Sequence, residues 1–258
     1  MADRPPPPAP PVPRPRRPLA VWLAGRSGWD AYATLAERLA WEVSEPAGRP
    51  PTLLVGELEP AITIGRLGSR ADVDLSAEEL RSRRIEVRFV GRGGGAVLHG
   101  PGQVFVALFA ALEDLGLGRH DVGGYVARFQ AGLSLALERL GARPDRRPDG
   151  HGLGGRTGLL AAVGIAVRRG VACHGGFVNV CPELEPFRQV HTDPGASAST
   201  TMGSLEAEVR RKVRMQDART ALVEGLAAAF EFPRIHIQSG FPFPPAPAVR
   251  PQRFSRVG

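Results

Sequence analysis

Proline placement limits this chain more than any other feature. Of its 25 prolines, 9 fall in residues 1–18 and 5 in residues 240–258. Proline fixes φ and removes a backbone donor, so a run such as Pro5 to Pro8 is extended and enters neither a helix nor a central strand. The ends, 1–18 and 234–258, are therefore expected to be Pro/Arg-rich tails, the first of them disordered. Residues 19–233 remain for folding, which is enough for one ordinary core.

Net charge is +7, from 33 Lys+Arg against 26 Asp+Glu, so a nucleic-acid partner has to be tested first. Residues 1–18 carry Arg4, Arg14, Arg16 and Arg17 against Asp3, and residues 234–258 carry Arg234, Arg250, Arg253 and Arg256 with no acid. The stretch between is neutral, which argues against a basic face across the fold and against nucleic acid. The longest apolar run, Val104 to Leu112, is far short of the roughly 20 residues that span a bilayer. A signal segment is not apparent, so a cytoplasmic, membrane-free protein is expected. Cys173 and Cys181 are the two cysteines, which make neither a disulfide framework nor a zinc pattern.

Periodicity sets out the elements. Leu35, Leu39 and Val43 form one stripe within a helix over 30–43, and the short apolar runs 52–55 and 61–64 read as strands. Ser76 and Glu79 have capping-box spacing and open a short helix to Arg83. Residues 85–89 alternate apolar and charged like a half-exposed strand, and 104–112 reads as a buried one. Asp121 caps a helix whose face runs Val122, Val126, Phe129, Leu133, Leu137 and Leu140 before Gly141 stops it. Residues 159–167 and 171–180 form an antiparallel pair around Arg168-Arg169-Gly170, and 204–230 is helical with a break near Gln216. This order implies an α/β (α+β) fold, a single domain with a mixed sheet and no doubly wound nucleotide fold.

Two stretches could carry chemistry. In Arg92 to Gln103, three glycines after a strand let backbone N–H groups approach a ligand, and His99-Gly100-Pro101-Gly102 follows. A plain pair of turns with Arg92 solvated would look the same at this level. In Cys173 to Val180, His174 stands before two glycines, either as a ligand contact or as a hydrogen-bonded strand residue. Neither stretch has the ending of a phosphate loop or the spacing of a dinucleotide fingerprint.

Taken together, these stretches resemble the Arg-Gly-Gly…His-Gly-Pro-Gly-Gln signature of the lipoyl(octanoyl) transferases, the octanoyl-carrier-protein:protein octanoyltransferases of the biotin/lipoate protein ligase superfamily. Further stations follow in the family's order: Thr52 to Val55 through Ala61 to Arg66, Leu115-Gly116-Leu117 with His120-Asp121, Ala161 to Ile165, His174-Gly175…Asn179-Val180, and Glu183 to Phe187. The resemblance spans roughly residues 19–230. It implies a BPL/LPL-type catalytic domain and transfer of octanoyl from octanoyl-acyl carrier protein to a lysine of lipoyl domains. Those domains belong to 2-oxoacid dehydrogenases or to the glycine cleavage H protein. A monomer without metal or cofactor is expected.

The family uses a cysteine nucleophile with a nearby lysine that lowers the thiol pKa. Counting along the stations puts the lysine position at Leu159 and the cysteine position at Asp193, which is followed by Pro194-Gly195. The sole lysine is Lys212, and no cysteine follows Cys181. Gly95 and Leu98 depart from the family's usual Gln and aromatic residue. Fallback candidates are Asp193 and His191 in the following loop, and Cys173 and Cys181. Cys173 should face the core, with Cys181 on the same face if the strand persists. The substrate cradle carried over by the resemblance is Arg92, Gly93, Gly94, Gly95, Ala96, Val97, Leu98 and His99, with Ala162, Val163 and Gly164, and His174, Gly175, Gly176 and Phe177. Two functions follow: an octanoyltransferase of lipoate assembly with a replaced nucleophile, or a pseudoenzyme that binds an acyl chain, carrier protein or lipoyl domain.

Overall fold

A computed structural model describes residues 17–147, 152–192 and 201–240. Residues 1–16 and 241–258 of the two tails, and Asp193 with Pro194-Gly195, lie outside the described residues. Strand β1 spans Leu19–Ser27, helix α1 Trp29–Ser44, β2 Thr52–Leu58 and β3 Ala61–Ile64. Then come α2 (Ala77–Ser82), β4 (Glu86–Phe89), β5 (Ala96–His99), β6 (Gln103–Ala111) and α3 (Val122–Arg139). The remainder is β7 (Asp145–Arg146), β8 (Gly152–Gly155), β9 (Gly158–Arg168), β10 (Val171–Asn179), α4 (Leu205–Val209), α5 (Met215–Ala229) and β11 (Ile235–Ser239).

The expected mixed sheet has eight strands in the order β11-β1-β2-β6-β10-β9-β8-β7, and a three-stranded sheet, β4-β3-β5, accompanies it. Pairing is parallel between β1 and its two neighbours and antiparallel across the rest of the large sheet. Alternation along β6 shows why the sheet is covered on both sides. Val104, Val106, Leu108 and Ala110 face one cluster with Tyr125, Phe129 and Leu133 of α3 and Leu222 and Leu226 of α5. Phe105, Ala107 and Phe109 face the other, with Tyr32, Leu35 and Leu39 of α1. Ile62, Ile64, Ala96 and Leu98 of the small sheet form a third cluster with Leu159, Phe187 and Val190.

Local signals behave as their chemistry requires. Ser76 and Glu79 form both halves of the capping box, and the Asp121 carboxylate accepts from the Gly124 N–H at 2.8 Å. Asp121→Ala should cost about 1 kcal/mol in urea unfolding, the usual worth of a side-chain cap. A loss below about 0.3 kcal/mol would contradict that. Gly141 takes φ +92 just past α3, the left-handed conformation that glycine supplies at helix ends.

Three expectations change. The folded unit runs past 233, because Ile235–Ser239 pairs with β1 from Leu19↔Ile235 to Leu23↔Ser239. Its apolar residues alternate only over Ile235, His236 and Ile237, a pattern too short to stand out beside a proline-rich tail. The break in the last helical stretch lies at Arg210 to Arg214 rather than Gln216. Arg210 adopts φ 53 at the end of α4, and the Glu206 carboxylate accepts the Val213 N–H. Third, β10 ends at Asn179, so Cys181 does not share the face of Cys173. Both Val180 and Cys181 turn their N–H groups to the Gly102 carbonyl. Among the described residues no helix is long and apolar enough to cross a membrane.

Candidate active site

A cavity of about 460 Å³ opens between the two sheets. The small sheet and its glycine run contribute Arg92, Gly94, Gly95, Val97 and His99; β9 and β10 contribute Ala162, Val163, Gly164, His174, Gly175, Gly176 and Phe177. These belong to the set expected from the sequence. Gly93, Ala96 and Leu98 of that set are absent from the wall. Ala96 and Leu98 occupy the alternate face of β5, inside the third apolar cluster. The Gly93 N–H is bonded to the Ile165 carbonyl at 2.9 Å, so it ties the glycine run to β9 and is not open to a ligand. Trp29 and Tyr32 of α1, Phe105 and Leu159 complete an apolar wall.

Buried polar groups behind this wall form a chain. Arg92 is 8% exposed and donates to the Gly93 carbonyl, to the Thr63 carbonyl at 2.9 Å and to Thr63 Oγ1 at 2.8 Å. Thr63 Oγ1 lies 2.9 Å from His99 Nε2, and His99 Nδ1 lies 2.9 Å from Gln103 Oε1. The Gln103 amide donates to Asn179 Oδ1 at 2.9 Å, and the Asn179 amide to the Leu159 carbonyl at 3.3 Å. Donor logic fixes the direction: Gln103 Oε1 can only accept, so Nδ1 carries the proton. Nε2 of the neutral ring then accepts from Thr63. Burial first, then the Arg92 charge, holds the His99 pKa down at about 3. Among the described residues no carboxylate pairs with Arg92, whose own pKa burial lowers to about 10.

His174 differs from His99. It takes φ +63 within β10, a conformation costly for any residue with a Cβ and concentrated at functional sites. Its ring forms no hydrogen bond with a described residue. Burial, then Arg168, Arg92 and Arg66, lower its pKa to about 4, so the imidazole is neutral at pH 7. Arg66 donates to the Gly91 carbonyl at 3.1 Å, and Arg168 Nη2 would stand 3.0 Å from a Cβ at Gly91. Two guanidinium groups thus flank one residue.

The fallback nucleophiles among the described residues, Cys173, Cys181 and His191, are not brought to the cavity. Cys173 is buried against α1, its thiol donating to the Ala166 carbonyl at 3.4 Å, and burial raises its pKa. Cys181 is exposed, 3.9 Å from the Met215 sulfur. His191 Nε2 lies 2.8 Å from Asp74 Oδ2 at the surface. Leu159, at the position the resemblance gives to a lysine, is 2% exposed and presents an apolar side chain to the cavity. The residue after His191 does line it: Thr192. The cradle expected from the sequence omitted Thr192 and the linking residues Thr63, Gln103 and Asn179, although the last three stood inside the stretches that carry the resemblance. Polar residues inside otherwise apolar strands were the available signal for those three.

The lipoyl protein ligase A/B catalytic-domain model matches residues 31–227. An octanoyltransferase from Geobacter sulfurreducens is 33% identical over 80% of this chain and 82% of its own length. One from Roseiflexus sp. is 30% identical over 87% and 92%. The fold is shared with the bi-partite lipoate protein ligase from Thermoplasma acidophilum, at a TM-score of 0.63, 16% identity and 85% coverage of each chain. Lipoate-protein ligase A bound with ATP also matches, with a TM-score of 0.63, 16% identity, and 85% of this chain and 88% of that one covered. With these matches over most of its length, the chain belongs to the octanoyltransferases of the lipoyl protein ligase A/B catalytic-domain family.

Proposed function

We propose that the chain binds an octanoyl thioester in this cavity and passes the acyl group from acyl carrier protein directly to a lipoyl-domain lysine, with no thioester on the enzyme itself. The observation behind this reading is that the described residues form the cavity and an unbroken buried polar chain behind it, while the described wall contains neither a cysteine nor a lysine. An apolar wall suits an eight-carbon chain, and a few fixed polar groups suit the carbonyl end. In direct transfer the neutral lysine amine attacks the thioester carbonyl carbon, a C–N bond forms and the C–S bond breaks. The amine proton passes to His174 and from there to the departing thiolate. The neutral imidazole of His174, without a hydrogen bond to a described residue, is the wall group suited to that relay. The expected setting is a cytoplasmic monomer.

The empty nucleophile position favours a second reading, a pseudoenzyme that binds the acyl thioester without turnover. Intact-mass spectrometry of the full chain mixed with octanoyl carrier protein and a lipoyl domain separates the two. Octanoyl on the lipoyl domain, with no adduct on this chain, is the expected result. No transfer, together with saturable carrier binding, would establish the pseudoenzyme, and a stable adduct on Cys173 or Cys181 would overturn direct transfer.

A further inference from the structure

One residue of the cavity wall carries a buried polar atom with no hydrogen-bond partner among the described residues. Thr192 is 9% exposed and lines the cavity, and its Oγ1 is buried without a hydrogen bond. The other buried side-chain atoms in this condition, on Ser27, Gln189 and Arg219, belong to residues outside the wall. Arg92 and His99, by contrast, spend their polar atoms on protein partners. An unpaired hydroxyl away from water is unfavourable, and the deficit vanishes when a ligand supplies an acceptor.

The backbone before Thr192 is fixed. The His191 N–H donates to the Asp72 carbonyl at 2.8 Å, and Val190 bridges to Val73. The side chain keeps one freedom: a single staggered χ1 step carries Oγ1 to the place that Cγ2 holds, so the hydroxyl of this wall residue can follow an acceptor brought into the cavity. Leu159 and other apolar residues share this wall, and an acyl thioester brings one strong acceptor into such a site, its carbonyl oxygen.

We infer that Thr192 anchors the substrate carbonyl: its hydroxyl donates a hydrogen bond to the carbonyl oxygen of the bound acyl thioester and sets the carbonyl carbon at a fixed depth. The inference rests on the acyl-binding reading above and adds a residue to it. It also separates this chain's site from one built around a thiol, since the anchor binds the acyl group without bonding to it.

Calorimetric titration of the full chain with two probes tests this: S-octanoyl-pantetheine, and S-octyl-pantetheine, the thioether that lacks the carbonyl. Wild type should bind the thioester about tenfold more tightly, the worth of one net hydrogen bond. Thr192→Val should reduce that preference below about twofold with thioether affinity unchanged, which also shows that the variant is folded. Thr192→Ser should keep it. Equal binding of both probes by wild type, or a tenfold preference surviving in Thr192→Val, would overturn the anchor while leaving the acyl cavity standing. Binding of neither probe would overturn the cavity reading and the anchor with it. An octanoyl ester on Thr192, seen by mass, would replace anchoring with nucleophilic attack.

Discussion

Gly175→Ala is expected to destabilise the protein by about 3 kcal/mol or more, at the top of the range for overpacked cores. A Cβ at this position would lie 1.9 Å from the Val106 carbonyl oxygen and 2.7 Å from the Ala107 Cα. Both obstacles are backbone atoms of β6, which pairs with β10 at Gly175↔Ala107 in the middle of the eight-stranded sheet. No side-chain rotation relieves the clash, so the ladder itself has to move. Gly123→Ala is the matched control. Its Cβ would meet nothing nearer than an Asp121 carboxylate oxygen at 4.0 Å, and in the first turn of α3 alanine should add about 0.5 kcal/mol. Urea unfolding of both variants measures the contrast. A Gly175→Ala value within about 0.5 kcal/mol of wild type would show that β10 can shift there, and would leave this glycine's place in the cavity wall as its one role.

That contrast shows how far sequence reasoning reached. The glycines after His174 read as backbone beside a ligand site, and both line the cavity, but whether a Cβ would fit at Gly175 is not legible locally. Sheet spacing decides, and it depends on Val106, which lies 69 positions earlier in the chain. Local signals carried well. The stripe of α1, that of α3 apart from Val122, which is exposed, the caps at Ser76 and Asp121, and the burial of β6 all come from contacts within a few residues or from period alone. Strands that need a distant partner did not carry. β1 starts at the edge of a proline-rich tail, and β11 exists through pairing with it. β8 is Gly152-Leu153-Gly154-Gly155, a composition that reads as a loop. In the site, Arg92, His99 and His174 stood out beside their glycines, but their different roles did not. His99 is held by Thr63, 36 positions away, and Gln103 by Asn179, 76 positions away. The inward face of Cys173 was legible from strand alternation, whereas Cys181 was misplaced because nothing in its neighbourhood marks where β10 stops.

Between pH 6.5 and 4.5 the protein should lose about 2 kcal/mol of stability through His99 alone. Its folded pKa of about 3 lies below the ordinary value of 6.5, so over this window the unfolded chain takes up a proton that the folded chain refuses. Stability rises with pH wherever the unfolded state binds more protons, at about 1.4 kcal/mol per pH unit for one such group. The loss therefore begins as pH falls through 6.5 and continues until about pH 3. The cause is structural. Protonation would put a charge in a dry site beside the Arg92 guanidinium and leave two donors, Nε2–H and the Thr63 hydroxyl, facing each other. His174, with a folded pKa of about 4, adds a loss of the same sign. Carboxylates held low by hydrogen bonds, such as Glu79 and Glu206, add theirs mainly below pH 4.5, so the higher window belongs to the histidines. Urea unfolding at pH 6.5, 5.5 and 4.5 should show the full slope in wild type and a shallower one in His99→Gln, whose amide does not titrate. Parallel slopes for the two proteins would mean that His99 accepts its proton in the folded state, and would break the one-way chain of hydrogen bonds from Arg92 to Leu159.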